Sequence, residues 1–172
     1  MRACRTRHKD VIEVLLSASD IDLYAICSKG WTAFMYACQY GRYDIVKMLL
    51  DKMNNQVDMN VKDHAYKQTA FMWACSTIYG SYGTGVVKLL LERCHRDVDL
   101  ELKGHQGRTA FMWACSNGQT EVVRYFLKHF EKNIDLNATD DSGRTACMLA
   151  DFYNRKDVVK LLENHAKNKQ KK

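Results

Sequence analysis

The chain contains no proline, and its nine glycines are spread thinly over 172 residues. A proline-rich linker is therefore excluded as a domain boundary, and turns fall to Gly, Asn and Asp. No stretch approaches the roughly 18 uninterrupted apolar residues that a membrane-spanning helix needs, so no membrane insertion is expected. A cleavable leader is not expected either, because Met1 to Lys9 are highly charged and the apolar run after them is broken by Glu13. Seven cysteines are an odd number and lie far apart, Cys27 and Cys38 being the nearest pair, so neither a disulfide framework nor a CxxC metal knuckle is indicated. Reduced thiols in the cytoplasm or nucleus fit better. Paired carboxylates, a nucleophile beside a base and clustered metal ligands are all missing outside the repeating positions. The chain is accordingly expected not to be an enzyme and to use no cofactor, metal or small-molecule substrate. Cys94-His95 stands alone without the other two ligands of a zinc site. Gly80-Ser81-Tyr82-Gly83-Thr84-Gly85 lacks the Gly-Lys-Ser/Thr ending of a phosphate loop and follows a helix rather than a strand.

What is present is a core-forming composition, 47% hydrophobic and 27% charged, of single-domain size. The formal charge of +6 is partly held in Lys167, Lys169, Lys171 and Lys172, a solvated tail rather than a binding stripe. Self-comparison decides how the remaining residues are read. The chain spells TAFMYAC from Thr32, TAFMWAC from Thr69 and again from Thr109, and TACMLAD from Thr145, at spacings of 37, 40 and 36 residues. A second apolar core follows each: Ile45-Val46 with Leu49-Leu50, Val122-Val123 with Phe126-Leu127, and Val158-Val159 with Leu161-Leu162. In the copy from Thr69 the corresponding Val86-Val87 and Leu90-Leu91 come four residues late. Asp22-Leu23, Asp58-Met59, Asp99-Leu100 and Asp135-Leu136 mark turns between copies.

Each copy therefore spells a helix, a tight turn, a second helix and an extended loop. The four threonines sit where a hydroxyl can accept an orphan backbone N–H ahead of about two turns of apolar helix. Gly41 and Gly118 stop that helix, and Asp44, Glu121 and Asp157 open the next, where a carboxylate complements the helix dipole. Apolar pairs at i, i+3 and i+4 give the second helix one buried stripe. Two short helices cannot bury their faces alone, but stacked copies can. Lys128 to Asn133 are expected to extend one second helix by most of a turn.

The strings Asp140-Asp141-Ser142-Gly143-Arg144-Thr145-Ala146 and Gly41-Arg42-Tyr43-Asp44-Ile45-Val46-Lys47-Met48-Leu49-Leu50 resemble the ankyrin pattern Asp-x-x-Gly-x-Thr-Pro-Leu-His, Ala-Ala-x-x-Gly and Ile-Val-x-x-Leu-Leu. The resemblance covers nearly the whole chain and implies an all-α solenoid of stacked antiparallel helix pairs joined by extended β-hairpin-like loops. Ala33, Ala70, Ala110 and Ala146 replace the family's Pro, and Met35, Met72, Met112 and Met148 replace its His, so methionine packing must stand in for the histidine network. The expected divisions are a partial repeat and loop over 1–27, repeats over 28–63, 64–103, 104–139 and 140–166, and a basic tail over 167–172. An enlarged inter-helix turn is placed at 76–85. Because Ala3-Cys4 aligns with Ala37-Cys38 and Asp10-Val11-Ile12 with Asp44-Ile45-Val46, the chain begins inside a repeat, as a fragment of a longer array would.

Several columns are read as core: Trp73 and Trp113 as inner-helix core or groove wall, and Cys4, Cys38, Cys75 and Cys115 as buried packing thiols. The resemblance implies a non-catalytic protein-interaction module, expected to be a monomer, or the recruiting part of a larger adaptor. Its contacts would come from loop tips and first-helix ends: Lys29, Trp31, Gln39, Tyr40, Tyr66, His105, Gln106, Arg108, Asn117, Asp141, Arg144, Phe152 and Tyr153. Trp31 is the leading anchor, with packing on the neighbouring loop as the alternative. Ile78, Tyr79 and Tyr82 would be displayed on the enlarged turn. This mixture of aromatic, Arg and amide groups resembles a protein interface more than a nucleic-acid groove, which needs a continuous basic stripe. The competing reading is an anionic ligand, nucleic acid or phosphoinositide, held by the basic tail with Lys29, Lys103 and Arg108.

Overall fold

The computed structural model describes residues 2–5, 8–18, 20–77, 81–94 and 97–169, the side chains of Arg2, Arg5, Ser81 and Tyr82 excepted. Nine α-helices occur among them: α1 (Lys9–Ser17), α2 (Ala33–Gln39), α3 (Tyr43–Lys52), α4 (Ala70–Ser76), α5 (Ser81–Cys94), α6 (Ala110–Ser116), α7 (Thr120–His129), α8 (Ala146–Phe152) and α9 (Lys156–Lys169). Short 3-10 turns lie at Arg2–Arg5, His105–Gly107 and Glu131–Asn133. The fold is all-α: no strand forms among the described residues, and a single antiparallel bridge pairs Lys62 with Thr69. No described helix is long and apolar enough to cross a membrane.

The four threonines start the inner helices as their spacing predicts. Each has extended backbone, and its hydroxyl accepts the N–H three residues on: Met35 on Thr32 at 3.1 Å, Met72 on Thr69 at 3.2 Å, Met112 on Thr109 at 3.3 Å and Met148 on Thr145 at 3.3 Å. Three of these helices stop at a left-handed residue, Gly41, Gly118 or, in the same place, Asn154. The chain then closes back, with the N–H groups of Arg42, Gln119 and Arg155 donating to the carbonyls of Ala37, Ala114 and Ala150. Asp44, Glu121 and Asp157 occupy the first turns of α3, α7 and α9.

The copy with the late second helix departs from expectation. Ser81 to Gly85, assigned to an enlarged turn, are the first residues of α5. The insertion lengthens the helix, and Gly85 fits its start close to α3: a Cβ there would lie 3.3 Å from the Tyr43 ring. Ile78 and Tyr79 lie outside the described residues, as does the side chain of Tyr82. After α7, residues 131–133 form a 3-10 turn instead of continuing the α-helix.

The chain divides into two compact units, Met1–Asp99 and Leu100–Lys172. In the first, α2 packs on α4, while α1, α3 and α5 pack in series behind them. In the second, α6 packs on α8 and α7 on α9. Phe34, Phe71 and Phe111, Met35, Met72 and Met112, and the thiols of Cys38, Cys75 and Cys115 are all buried. Methionine takes the place of the family's histidine as packing in the first three copies, whereas Met148 is exposed and does not. Asn60 ties two loops of the first unit, its amide donating to the Asp97 carbonyl at 2.8 Å and accepting from the Asp99 N–H at 2.9 Å.

Each inter-copy loop reverses over a short tip, and the tips lean on one another within a unit: the His64 N–H donates to the Lys29 carbonyl, and the Asp141 N–H to the Gln106 carbonyl. Gly107 permits the second contact. Its φ is +66°, and a Cβ there would fall 2.1 Å from Asp141 Oδ1 and 2.9 Å from the Asp141 nitrogen. Gly143 has nearly the same φ, +74°, with nothing within 4 Å. Gly143→Ala therefore pays only the left-handed conformation, about 1 kcal/mol, whereas Gly107→Ala also disrupts the tip contact and costs about 2 kcal/mol or more. Urea unfolding of the two variants checks this; equal losses would mean that the tips do not brace one another.

Candidate functional site

The inter-copy loops are closed by the same main-chain bond: Cys27 N–H to Trp31 carbonyl, Asp63 to Gln68, Gly104 to Arg108 and Asp140 to Arg144, at 2.9–3.0 Å. Two of them enclose a buried carboxylate. Asp63 Oδ1 accepts the Tyr66 N–H at 2.7 Å, while its Oδ2 accepts the Gln68 N–H at 3.1 Å and the Trp73 indole N–H at 3.0 Å. Asp140 Oδ1 accepts the N–H groups of Ser142 and Arg144, and its Oδ2 accepts Arg144 Nε at 3.0 Å and Nη2 at 2.9 Å. The buried Arg108 Nε lies 3.6 Å from the same oxygen. Burial works against ionisation of Asp140, but the Arg144 guanidinium and the two backbone N–H groups outweigh it and hold the carboxyl below its ordinary value. Cys27 occupies the corresponding place in the first loop. Burial opposes its ionisation too, yet N–H donors from Lys29 and Trp31 and the Tyr36 hydroxyl, 3.9 Å from Sγ, bring its pKa down. Burial pushes the Cys38 and Cys75 thiols well up, as suits packing groups.

Over these braced loops each unit carries a ladder of rings. In the first unit the Trp31 ring lies 4.3 Å from that of Trp73 and 4.8 Å from that of Tyr36, and Tyr66 meets Trp73 edge-on at 5.5 Å. Trp31 is only 4% exposed. The indole is thus the wedge beneath the ladder, packed on the neighbouring copy, rather than the free anchor its loop position indicated. Tyr66 is the exposed rung at 43%, with Lys29 exposed and Gln39 and Tyr40 half-buried.

In the second unit Arg108 is 2% exposed, its guanidinium 4.8 Å from the Trp113 ring and 5.5 Å from that of Tyr153. It too is a structural rung, its charge answered by Asp140, and not a free contact. The Arg144 guanidinium stacks 5.3 Å from Phe152, which meets Tyr153 edge-on at 5.1 Å; Phe152 is 67% exposed and Tyr153 40%. His105, Gln106 and Asp141 are exposed at the tips. Asn117 is half-buried and engaged, its amide donating to the Trp113 carbonyl at 3.0 Å. The sequence reading passed over Asp63, because its loop is one residue longer than that of Asp140 and slides it out of the aligned column.

The cations invoked for an anionic ligand are largely committed. Lys103 Nζ donates to the Thr139 carbonyl at 2.8 Å, Lys169 Nζ lies 2.5 Å from Glu131 Oε1, and Arg108 is buried; Lys171 and Lys172 lie outside the described residues. Among the described residues no group of three or more His, Cys, Asp or Glu is placed to hold a metal, and His95 lies outside them.

Residues 1–63 and 71–172 match the family model described as ankyrin repeats, in three copies. No curated protein matches the chain.

The Asp140 network has a pH signature. A carboxyl held below its unfolded value, about 4, contributes stability that is full above that pH and is lost as pH falls through the folded value. Asp140→Asn is expected to flatten the stability profile between about pH 2 and 5 and to cost about 2–4 kcal/mol at neutral pH, since Arg108 is left buried without its counter-charge. Urea titrations across that range measure both; an unchanged slope would mean that Asp140 does not carry the acid dependence.

Proposed function

The chain belongs to the ankyrin-repeat family, whose members are in general protein–protein interaction modules, and we propose that it is a non-catalytic binder of a protein partner through its loop tips and inner-helix ends. One observation carries this reading: in the first three copies the recurring inner-helix residues are buried, while several of the residues that differ at the loop tips and inner-helix ends are exposed beside loops closed by internal hydrogen bonds. Phe, Met and Cys recur and are buried in the first three copies, whereas Lys29, Tyr66, His105, Gln106, Asp141 and Phe152 do not recur and face solvent, and Tyr153, in the column of Tyr40, is 40% exposed. A tip already ordered by Asp63 or Asp140 loses little further entropy when a partner docks, so more of the contact energy remains as affinity. Exposed Tyr and partly exposed Arg beside aromatic rings are the residue types that dominate protein interfaces.

A folded protein or a peptide is favoured over a nucleic acid, phosphoinositide or small-molecule substrate, because among the described cations invoked for an anionic ligand Arg108 is buried and Lys103 and Lys169 have internal partners, leaving Lys29 and Lys167 far apart in sequence rather than in a continuous stripe. A role as the recruiting part of a larger adaptor is compatible with this surface. A reducing compartment, cytoplasm or nucleus, suits a protein that uses thiols as small packing groups along its inner helices.

Capture of partners from cell extract on the immobilised chain, followed by affinity measurement on those recovered, tests the reading. Tyr66→Ala or Tyr153→Ala should weaken binding about tenfold or more, while Lys47→Ala on the outer helix α3 leaves it unchanged. Binding that survives both tyrosine variants and Lys29→Ala, or that is lost through Lys47, would count against it.

A further inference from the structure

The fourth copy lacks the ring around which the other three pack. Two residues after the capping threonine stand Phe34, Phe71 and Phe111, all buried, and in the fourth copy Cys147, which is only half-buried. In the third copy that ring packs on the outer helix of its own pair, Phe111 meeting Phe126 of α7 edge-on at 5.6 Å. Aligned on Asp44, Glu121 and Asp157, the outer helices α3, α7 and α9 thin out in the same place. Leu49 and Phe126 correspond to Leu162, Leu50 and Leu127 to Glu163, and Met53 and Phe130 to Ala166. A cavity of about 620 Å³ opens between Cys147 and these residues of α9, with Phe111 and Ile134 also on its wall. Glu163 and Ala166 are exposed, so the cavity opens to solvent on their side. The repeat itself therefore specifies the group that fits: an aromatic side chain, which three copies supply from their own sequence and the fourth does not.

Charge around the opening selects what accompanies the ring. Glu131, Asp135 and Glu163 line the cavity together with His165 and Lys169. Glu131 is already answered, its Oε1 lying 2.6 Å from His165 Nε2 and 2.5 Å from Lys169 Nζ. Glu163 enters no ion pair among the described residues. Burial pushes the Cys147 thiol up, and the Glu163 and Asp151 carboxylates push it further, so negative potential reaches the cavity wall. A cation is favoured there and an anion opposed. We propose that this cavity takes an aromatic side chain of a partner protein with a basic residue beside it, the ring against Phe111 and Leu162 and the cation at Glu163. The inference rests on the reading of the chain as a protein binder, and it adds a contact built from none of the loop-tip residues.

Titration of the whole isotope-labelled chain with acetyl-phenylalanyl-lysine amide, followed by amide chemical shifts, tests the site. The expected result is saturable shifts at Cys147, Leu162 and Ala166 with a Kd of about 1 mM or below, retained in Tyr66→Ala and Tyr153→Ala. The alanyl-lysine counterpart should cause no such shifts. The phenylalanyl-glutamate counterpart should bind at least about threefold more weakly, a preference that Glu163→Gln removes. Cys147→Phe restores the ring of the other copies and should abolish binding while raising Tm by about 3 °C or more. Ala166→Phe, at an exposed position on the cavity wall, should abolish it independently, and circular dichroism confirms that each variant is folded. Absence of shifts at about tenfold that Kd, equal affinity for the lysine and glutamate peptides, or binding that survives a folded Phe variant overturns the proposal. Loss of the peptide with Tyr66→Ala or Tyr153→Ala would place it at the loop tips, overturning the cavity while supporting the loop-tip reading; captured partners indifferent to both tyrosines would sink that reading and leave these shifts unchanged.

Discussion

An inner helix of seven residues is too short to hold itself together in water, and all four of these are that length. The first three depend on burying their Phe, Met and Cys side chains against an adjacent helix, and α8 on burying Ala146, Leu149 and Ala150. That constraint explains the chemistry of the repeat. A threonine hydroxyl satisfies one N–H at the start of the helix, a left-handed residue releases the chain at the end of three of them, and small residues such as Ala37, Ala74 and Ala114 let the helices approach. Methionine in place of the family's histidine fits the same logic. A flexible thioether fills the gap between neighbours without requiring a hydrogen-bond partner in the core.

Stacked helices alone would leave the loops between copies loose. Two buried carboxylates prevent this, and they do so with different partners. Asp63 gathers two main-chain N–H groups and an indole N–H, whereas Asp140 gathers two N–H groups and the guanidinium of Arg144, with Arg108 close by. The residue just before each capping threonine is consequently drawn inward in three copies: Trp31, Gln68 and Arg108 are buried, and only Arg144 remains partly open. Affinity for a partner then falls to the residues one step further out, Tyr66, Tyr153 and the tip side chains.

The sequence makes the helices legible because their signals are local and repeated. Thr, Ala, Phe and Met in fixed order announce both the cap and the buried stripe, and the structure places both where the order predicts. Burial of individual contact residues is less legible, because it depends on the neighbouring copy. Trp31 occupies a loop position that reads as exposed, but the Trp73 ring of the next copy lies against it, and Tyr153, just after α8, closes over Arg108. A glycine-rich stretch reads as a turn by composition, yet Gly83 and Gly85 are helical in α5, where the missing side chain gives room beside Tyr43. The exposure of Met148 was equally hidden, since its column spells the same residue in every copy and only the absence of a covering helix among the described residues sets it apart.

Native-state amide hydrogen exchange on Met112→Ala tests most directly whether neighbours, rather than intrinsic helix propensity, hold these elements. Met112 is buried in α6, and α6 packs on α8. If the helices depend on one another, the truncation lowers protection in α8 by nearly as much as in α6, a difference of about 2–4 kcal/mol in opening free energy for both. Loss of protection confined to α6, with α8 exchanging as in the parent chain, would contradict it.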